Sequence, residues 1–254
     1  MILYRATNRI TGLLVVSFLL AGLCIATVHA APVTVFSDDF NDNSLDTAKW
    51  TSDVFGTGSA FSEQNQRAEF QTNGGGFAYW HSYLNSKPII ITGWDCIEIT
   101  GKWTNTGYTS RTHIATITDL DNPTNTISIE YAAWGSQMFY YWTGGSSVAS
   151  APIPSPNLVP FRLKITKTGF EYYENNILVK STPTSSMATS QRFQLQIGAW
   201  EFSPIPSQTY IDDIVVQTDY HPIAAPEFPS MVLPVGLIVG ILGAVLFIQR
   251  SKEN

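Results

Sequence analysis

Charged side chains are scarce in this chain. Only 13% of its 254 residues are Asp, Glu, Lys or Arg, and 14 basic residues face 20 acidic ones. No run of Lys or Arg is present that could follow a phosphate backbone, and the formal net charge of −6 has the wrong sign for that role. The composition therefore argues against a nucleic-acid partner.

Cysteine is also scarce, with only Cys24 and Cys96 in the chain. Cys24 lies in an apolar N-terminal stretch that we expect to be removed, so a mature chain would keep Cys96 alone and could form no internal disulfide. The histidines do not have the short spacing of a zinc site, and neither a Gly-x-Ser-x-Gly elbow nor a phosphate-binding loop is present. Stability must then come from an apolar core.

The N-terminus has the pattern of a secretory signal peptide. Arg5 and Arg9 precede an apolar run at 13–20, and small residues follow near Ala30. We therefore predict a signal peptide over residues 1–30, and with it export of the rest of the chain.

The C-terminus carries a second apolar stretch, residues 231–248, in which no residue is charged. As a helix this stretch would be roughly 27 Å long, close to the thickness of a bilayer's hydrocarbon layer. Arg250 and Lys252 follow it, which places the tail in the cytoplasm and the bulk of the chain outside. The sequence predicts one transmembrane helix and a domain exposed at the cell surface.

A short motif precedes this span: Pro226, Glu227, Phe228 and Pro229. Motif, apolar span and basic tail in this order resemble the PEF-CTERM sorting signal of archaeal surface proteins, over residues 226–254. The resemblance implies an archaeosortase-type processing enzyme as a partner, one that cuts near the motif and transfers the protein to a lipid. The alternative is an ordinary membrane anchor that follows a linker at 219–225.

Between the two ends, apolar residues alternate with polar ones at a period of two, and turn residues separate the runs. No window shows a sustained helical stripe. This pattern predicts strands in a sandwich of two antiparallel sheets; the clearest runs are 97–103, 111–117, 126–131, 138–142, 161–166, 170–174, 177–179, 193–200 and 210–216.

Three segments carry a second family resemblance. The opening segment at 35–46 with Trp50, the hairpin at 161–179 and the closing strand at 210–215 resemble concanavalin A-like (laminin G-like) jelly-roll domains. The resemblance spans residues 33–218 and implies an all-β jelly roll whose concave sheet can hold a glycan. It also implies a structural Ca²⁺ between the first and last strands, for which Asp39 and Asp213 are the expected ligands. The alternative is that these carboxylates cap turns.

Catalytic members of the laminarinase and lichenase type need a Glu-x-Asp-x-x-Glu strand, and none is present. Glu171 and Glu174 fall on opposite faces of a strand, while Glu98 and Glu130 stand alone. From the sequence we therefore expect a protein that is not an enzyme.

Aromatic and amide side chains on two strands suggest a glycan-binding platform, because rings stack on sugar C–H faces and amides bond to hydroxyl groups. The expected residues are Tyr140, Trp142, Gln194, Gln196 and Trp200. The pattern leaves open whether Tyr140 and Trp142 or Phe139 and Tyr141 face outward. The predicted function is binding of an envelope or extracellular polysaccharide without catalysis. The alternatives are a structural envelope component and a glycan-degrading enzyme of unfamiliar layout.

Overall fold

The computed structural model describes residues 31–72, 80–107, 110–150, 157–183, 187, 189–201 and 207–219. The predicted signal peptide, transmembrane span and sorting motif lie outside these residues. No helix within the described ranges is long and apolar enough to cross a membrane.

The described residues form two antiparallel sheets. Sheet 1 has the order β14-β13-β12-β7-β16-β4-β3, with β1 paired to β16, and sheet 2 has the order β11-β10-β9-β8-β15-β5-β2, with β6 paired to β15. The strands are β1 (Val33–Asp38), β2 (Trp50–Phe55), β3 (Ala60–Gln64), β4 (Arg67–Thr72), β5 (Trp80–Ser86), β6 (Ile89–Ile90), β7 (Cys96–Asn105), β8 (Ser110–Asp119), β9 (Thr126–Ala132), β10 (Gln137–Trp142), β11 (Gly145–Ser150), β12 (Val159–Thr166), β13 (Gly169–Glu174), β14 (Ile177–Pro183), β15 (Arg192–Glu201) and β16 (Ser207–Thr218).

This architecture confirms the predicted all-β jelly-roll sandwich. Each alternating run found in the sequence lies within one of the strands from β7 to β16. The predicted turn at Asn175 and Asn176 joins β13 to β14, and both residues have positive φ, 49° and 64°. Asn tolerates this conformation, which a two-residue hairpin of this hand requires.

The core lies between the two sheets and is built from the inward-facing residue of each alternating pair. On β15 the buried set is Phe193, Leu195, Ile197 and Ala199, as the alternation predicts. Large aromatic side chains fill much of the same layer, including Trp50, Trp103, Tyr131 and Tyr172, each no more than 2% exposed. Burial of this apolar surface stabilises a chain whose described residues contain one free cysteine.

We call the face of sheet 2 that points away from the core the open face. Strand register places its side chains in rows that run across the sheet. One row joins Phe139, Glu130 and His113 on β10, β9 and β8, then crosses Gly198 on β15 to Tyr83 on β5. The adjacent row brings Arg111, Trp200 and His81 side by side.

Two irregularities shape the middle of the open face. The β8–β9 pairing shifts between His113 and Ala115, and the β15–β8 pairing shifts between Gln196 and Gly198. Such bulges change where the flanking side chains point. Gly198 has φ 143°, and a Cβ there would lie 2.3 Å from the Ser82 carbonyl oxygen and 2.9 Å from the Tyr83 ring. Only glycine therefore lets Tyr83 approach β15 at this point.

Candidate functional site

A pocket of about 400 Å³ opens on the open face of sheet 2. Four strands supply its walls: β5, β8, β9 and β15, with β10 closing one side. The lining side chains combine one carboxylate with a guanidinium, two imidazoles, two phenols and an indole; they are Glu130, Arg111, His81, His113, Tyr83, Tyr141 and Trp200.

Glu130 is the carboxylate of this pocket, and only 7% of the residue is exposed. Two donors bond to it, and a histidine ring lies close by. Arg111 Nη1 lies 3.2 Å from Oε2, Ser128 Oγ donates to Oε1 over 3.1 Å, and His113 Nε2 lies 3.6 Å from Oε1. Arg111 and Ser128 thus bond to different oxygens of the carboxylate. The arrangement therefore fixes the orientation of the Glu130 carboxylate.

Arg111 is held in place by its neighbours. Its Cζ lies 4.1 Å from the centre of the Phe139 ring and 5.0 Å from that of Trp200. The same Nη1 that contacts Glu130 also donates to Tyr141 Oη over 2.9 Å. A guanidinium between aromatic faces is well suited to such packing. Arg111 thus links the Glu130 carboxylate to the Tyr141 hydroxyl in a fixed geometry.

His113, on β8, lies beside Glu130 of β9, and its side chain is largely buried. Burial lowers the pKa of His113, and the Glu130 charge opposes that effect only in part. Its Nδ1 lies 3.3 Å from Thr116 Oγ1, which in turn lies 2.5 Å from Ser128 Oγ. The neutral imidazole therefore belongs to a polar network that leads back to Glu130 through Ser128.

A second histidine–carboxylate pair lies farther along the open face. His81 Nε2 is 3.3 Å from Asp53 Oδ1. The His81 ring stacks on the rings of Tyr83 and Phe55, with centroids 4.7 Å and 5.7 Å apart. The Tyr83 ring in turn contacts the His113 ring, with centroids 5.0 Å apart. Burial raises the pKa of Tyr83, with smaller contributions from Glu130 and Asp53, so its hydroxyl keeps its proton. Together these rings form a row from β2 to β8.

In the described strands of sheet 2, two carboxylates point to the open face. They are Glu130 on β9 and Asp53 on β2. Four strand spacings separate β9 from β2, which places the two backbones roughly 19 Å apart. Glycosidases that use two carboxyl groups hold them about 5–5.5 Å apart for retention or about 6.5–9.5 Å for inversion. Glu130 and Asp53 are too far apart for either arrangement.

Three of the five predicted glycan-binding residues lie on the open face. Trp200 lines the pocket. Gln194 Nε2 donates to the Ser86 carbonyl oxygen over 3.1 Å, and Gln196 Nε2 donates to Asn85 Oδ1 over 2.9 Å. The face that the alternation predicted for these residues is confirmed, and their contact with a glycan stays a prediction.

For the other two residues, Tyr140 and Trp142, the predicted exposure on the open face is wrong. Tyr140 is fully buried in the core, where its ring contacts Tyr172 at 6.0 Å. Trp142 points to the same side and packs on Phe170 at 5.9 Å. Their neighbours Phe139 and Tyr141 occupy the open face instead, stacked at 6.1 Å. Because both alternating sets on β10 are aromatic, hydrophobicity along the strand could not distinguish the two orientations.

The expected Ca²⁺ ligands Asp39 and Asp213 line one groove on sheet 1. However, Asp213 forms an ion pair with Lys102, and the Asp39 carboxylate accepts a hydrogen bond from Asn41 N. Within the described residues, no three His, Cys, Asp or Glu side chains form a group that could hold a metal ion. These two residues as placed do not form a Ca²⁺ coordination shell, and the ion stays an untested prediction.

Sequence reasoning missed most of the pocket. Glu130 was passed over because it lacks a carboxylate partner on its own strand. Tyr141 was one of two options for the outward face of β10, and Arg111, His81, His113 and Tyr83 were not singled out. One signal was available: on β9 the alternation of Ile127 and Ile129 with Ser128 and Glu130 already places Glu130 on the face away from the core. The groups around Glu130 come from other strands, so strand pairing was needed to find them.

Several solved structures are similar to this fold. A GH16 non-specific endo-β-1,3(4)-glucanase, SCLam, has a TM-score of 0.58 at 14% identity, covering 74% of this chain and 92% of that one. A laminarinase from Flavobacterium sp. UMI-01 has 0.57 at 15%, covering 73% and 99%. A GlcNAcα1-4Gal-releasing endo-β-galactosidase from Clostridium perfringens has 0.56 at 15%, covering 76% and 64%. No protein-family model and no curated protein matches the chain.

At these identities the likeness shows the concanavalin A-like jelly-roll fold. It also contradicts the expectation of glycan binding without catalysis and of a protein that is not an enzyme, because the similar structures are glycan-cleaving enzymes. That expectation rested on one missing strand motif. The findings favour the alternative of a glycan-degrading enzyme of unfamiliar layout.

Proposed function

We propose that this protein is an endo-acting, glycan-degrading enzyme whose reaction site is the pocket around Glu130 on the open face of sheet 2. The observation that carries the proposal is the Glu130 carboxylate itself. It is 7% exposed, anchored by Arg111 and Ser128, and still lines an open pocket. A shielded, oriented carboxylate among proton-exchanging groups is a typical feature of a reaction site.

The shape of the open face supports a chain-like substrate. The aromatic row from Phe55 to Tyr83 extends from the pocket toward the β2 edge, and Phe55 is 58% exposed. On the other side of the pocket, Phe139 and Tyr141 present a second stacked pair. Rings on both sides of a reacting group would let several sugar units lie across the strands, as cleavage within a chain requires.

Cleavage can be tested on glycans of the kinds that the similar structures act on. Full-length protein is incubated with β-1,3-glucan, mixed-linkage β-1,3(4)-glucan and a glycan that carries GlcNAcα1-4Gal, and released reducing ends are measured. We expect release from at least one of these, and a loss of more than about 100-fold in Glu130→Gln, because an oriented reacting group typically contributes that much.

The matched control is Glu98→Gln. It removes a charge from β7 on sheet 1, where Glu98 pairs with Arg162 at 3.7 Å, far from the pocket. This variant should keep wild-type activity. No release from any glycan, or equal losses in both variants, would refute the proposed function.

We also propose that the enzyme works at the cell surface, held by its C-terminus. The signal-peptide pattern over residues 1–30, the span at 231–248 and the PEF-CTERM-like motif at 226–229 support this. A membrane, and an archaeosortase-type enzyme if the span is replaced by a lipid, would then be its partners. Mass spectrometry of protein recovered from the cell envelope should find an N-terminus near Ala31; an intact N-terminus in a cytosolic fraction would refute export.

A further inference from the structure

We infer that the pocket cleaves glycosidic bonds with retention of configuration, using Glu130 as the nucleophile and the Tyr141 hydroxyl as the proton donor. This inference rests on the proposed function and assigns the two reacting groups within it. It replaces the missing second carboxylate with a phenol from the neighbouring strand β10.

A shared contact with Arg111 limits the distance between the two groups. Tyr141 Oη and Glu130 Oε2 both contact Arg111 Nη1, so they are no more than about 6 Å apart, the 2.9 Å and 3.2 Å contacts laid end to end. Retaining glycosidases hold nucleophile and acid about 5–5.5 Å apart, on either side of the scissile bond.

The environment of each group assigns its role. Glu130 is bonded at both oxygens by a guanidinium and a hydroxyl donor, which orient the carboxylate as a nucleophile must be oriented. Tyr141 Oη accepts a hydrogen bond from Arg111, so its own proton points elsewhere. As that proton leaves, the guanidinium stabilises the developing phenolate, in the manner of donors aimed at charge that forms in a transition state. Arg111 acts as a positioning residue for both groups.

The reaction balances in two steps. In the first, Glu130 attacks the anomeric carbon, the bond to the leaving oxygen breaks, and the Tyr141 proton passes to that oxygen. In the second, the Tyr141 phenolate takes a proton from water, the hydroxide attacks the anomeric carbon, and the bond to Glu130 breaks. Water is the only co-reactant, and two inversions give net retention.

The other proton donors of the pocket fit less well. His113 Nε2 is 3.6 Å from the Glu130 carboxylate, which is too close for a sugar ring to lie between them. Burial also lowers the pKa of His113, so the imidazole lacks the required proton near neutral pH. His81 pairs with Asp53 and lies on β5, three strands from Glu130.

The first test is stereochemical. Full-length protein is incubated with whichever of the three glycans it cleaves, and the anomer formed first is identified by proton NMR. We expect the configuration of the cleaved bond to be kept. An inverted product would overturn the inference while leaving the proposed function intact, whereas no cleavage of any glycan would refute the proposed function itself.

The second test separates the two roles. Azide added to Glu130→Ala should restore turnover and yield a glycosyl azide of opposite configuration, because azide can occupy the space of the missing nucleophile. Tyr141→Phe should lose at least about 100-fold on the glycan. In Tyr141→Phe the nucleophile is still in place and azide needs no base to attack the glycosyl-enzyme, so any glycosyl azide formed should keep the configuration of the cleaved bond.

Tyr173→Phe is the control for the phenol. It removes a hydroxyl that donates to Glu171 over 2.7 Å on sheet 1, and it should keep full activity. If Tyr141→Phe is as active as this control, or if azide gives no glycosyl azide with Glu130→Ala, the assignment of the two groups is wrong. Circular dichroism of each variant confirms that the sandwich is folded.

Discussion

Arg111 Nη1 lies 3.2 Å from Glu130 Oε2, and the two side chains are only 16% and 9% exposed. Removing one partner of such a pair leaves the other charge buried and uncompensated, which is far more costly than losing an exposed pair. We expect Arg111→Met to lower the free energy of unfolding by about 2–4 kcal/mol, measured by urea denaturation.

Two companion variants test the cause of that loss. The double variant Arg111→Met/Glu130→Gln should recover part of it, since no unpaired charge remains. Arg192→Met breaks the Arg192–Asp121 pair, whose side chains are 51% and 50% exposed, and should change stability by less than about 0.5 kcal/mol. Equal costs for Arg111→Met and Arg192→Met would contradict this view of the pocket.

Gly198→Ala tests the close approach of β5 to β15. The substituted residue would have to keep a φ of 143° and place its Cβ 2.3 Å from the Ser82 carbonyl oxygen, so we expect a loss of more than about 2 kcal/mol. Gly144→Ala is the control, because Gly144 has φ 90° and nothing within 4 Å of its would-be Cβ. It should cost only about 1 kcal/mol; similar losses at both sites would show that backbone strain alone decides.

Substitutions of Tyr140 test whether this residue belongs to the core and not to a glycan-binding surface. Its hydroxyl is among the described buried atoms without a hydrogen-bond partner, and its ring is fully buried. Tyr140→Phe should therefore leave stability unchanged or slightly raised, whereas Tyr140→Ala should cost about 3–5 kcal/mol through the cavity it leaves. Thermal unfolding measures both, and a large loss in Tyr140→Phe would show that the hydroxyl has a partner that matters.

Glu63 should make stability depend on pH. Burial, followed by the neighbouring Asp42 carboxyl, raises the pKa of Glu63 from 4.5 to about 7. Between these values the folded state binds more protons than the unfolded state, so the free energy of unfolding should fall as pH rises from 4.5 to about 7. The contribution of Glu63 to the free energy of unfolding is fully present below pH 4.5 and is lost above about pH 7.

Comparison with Glu63→Gln isolates this contribution, because the amide cannot titrate. The lowered pKa of buried His113 acts in the opposite direction, since the unfolded state then binds the extra proton and stability rises with pH. That effect is common to both proteins and cancels in their difference. A difference that stays constant across the window would contradict the raised pKa of Glu63.

The sequence by itself determined the class of fold and the face of most side chains. A period of two is a local property of the strand, so Gln194, Gln196 and Trp200 could be assigned to one face and Leu195 and Ile197 to the other. The turn at Asn175 and Asn176 could be found for the same reason, since its backbone preference is local.

Only the tertiary structure decided which side chains meet. Arg111 is 19 residues from Glu130 and 30 from Tyr141 along the chain, and their contact depends on hydrogen-bond register among β8, β9 and β10 and on the bulge after His113. On β10 both alternating sets are aromatic, so packing against sheet 1 alone placed Tyr140 inside and Tyr141 in the pocket. Register and packing are long-range properties, and a pattern within one strand does not specify them.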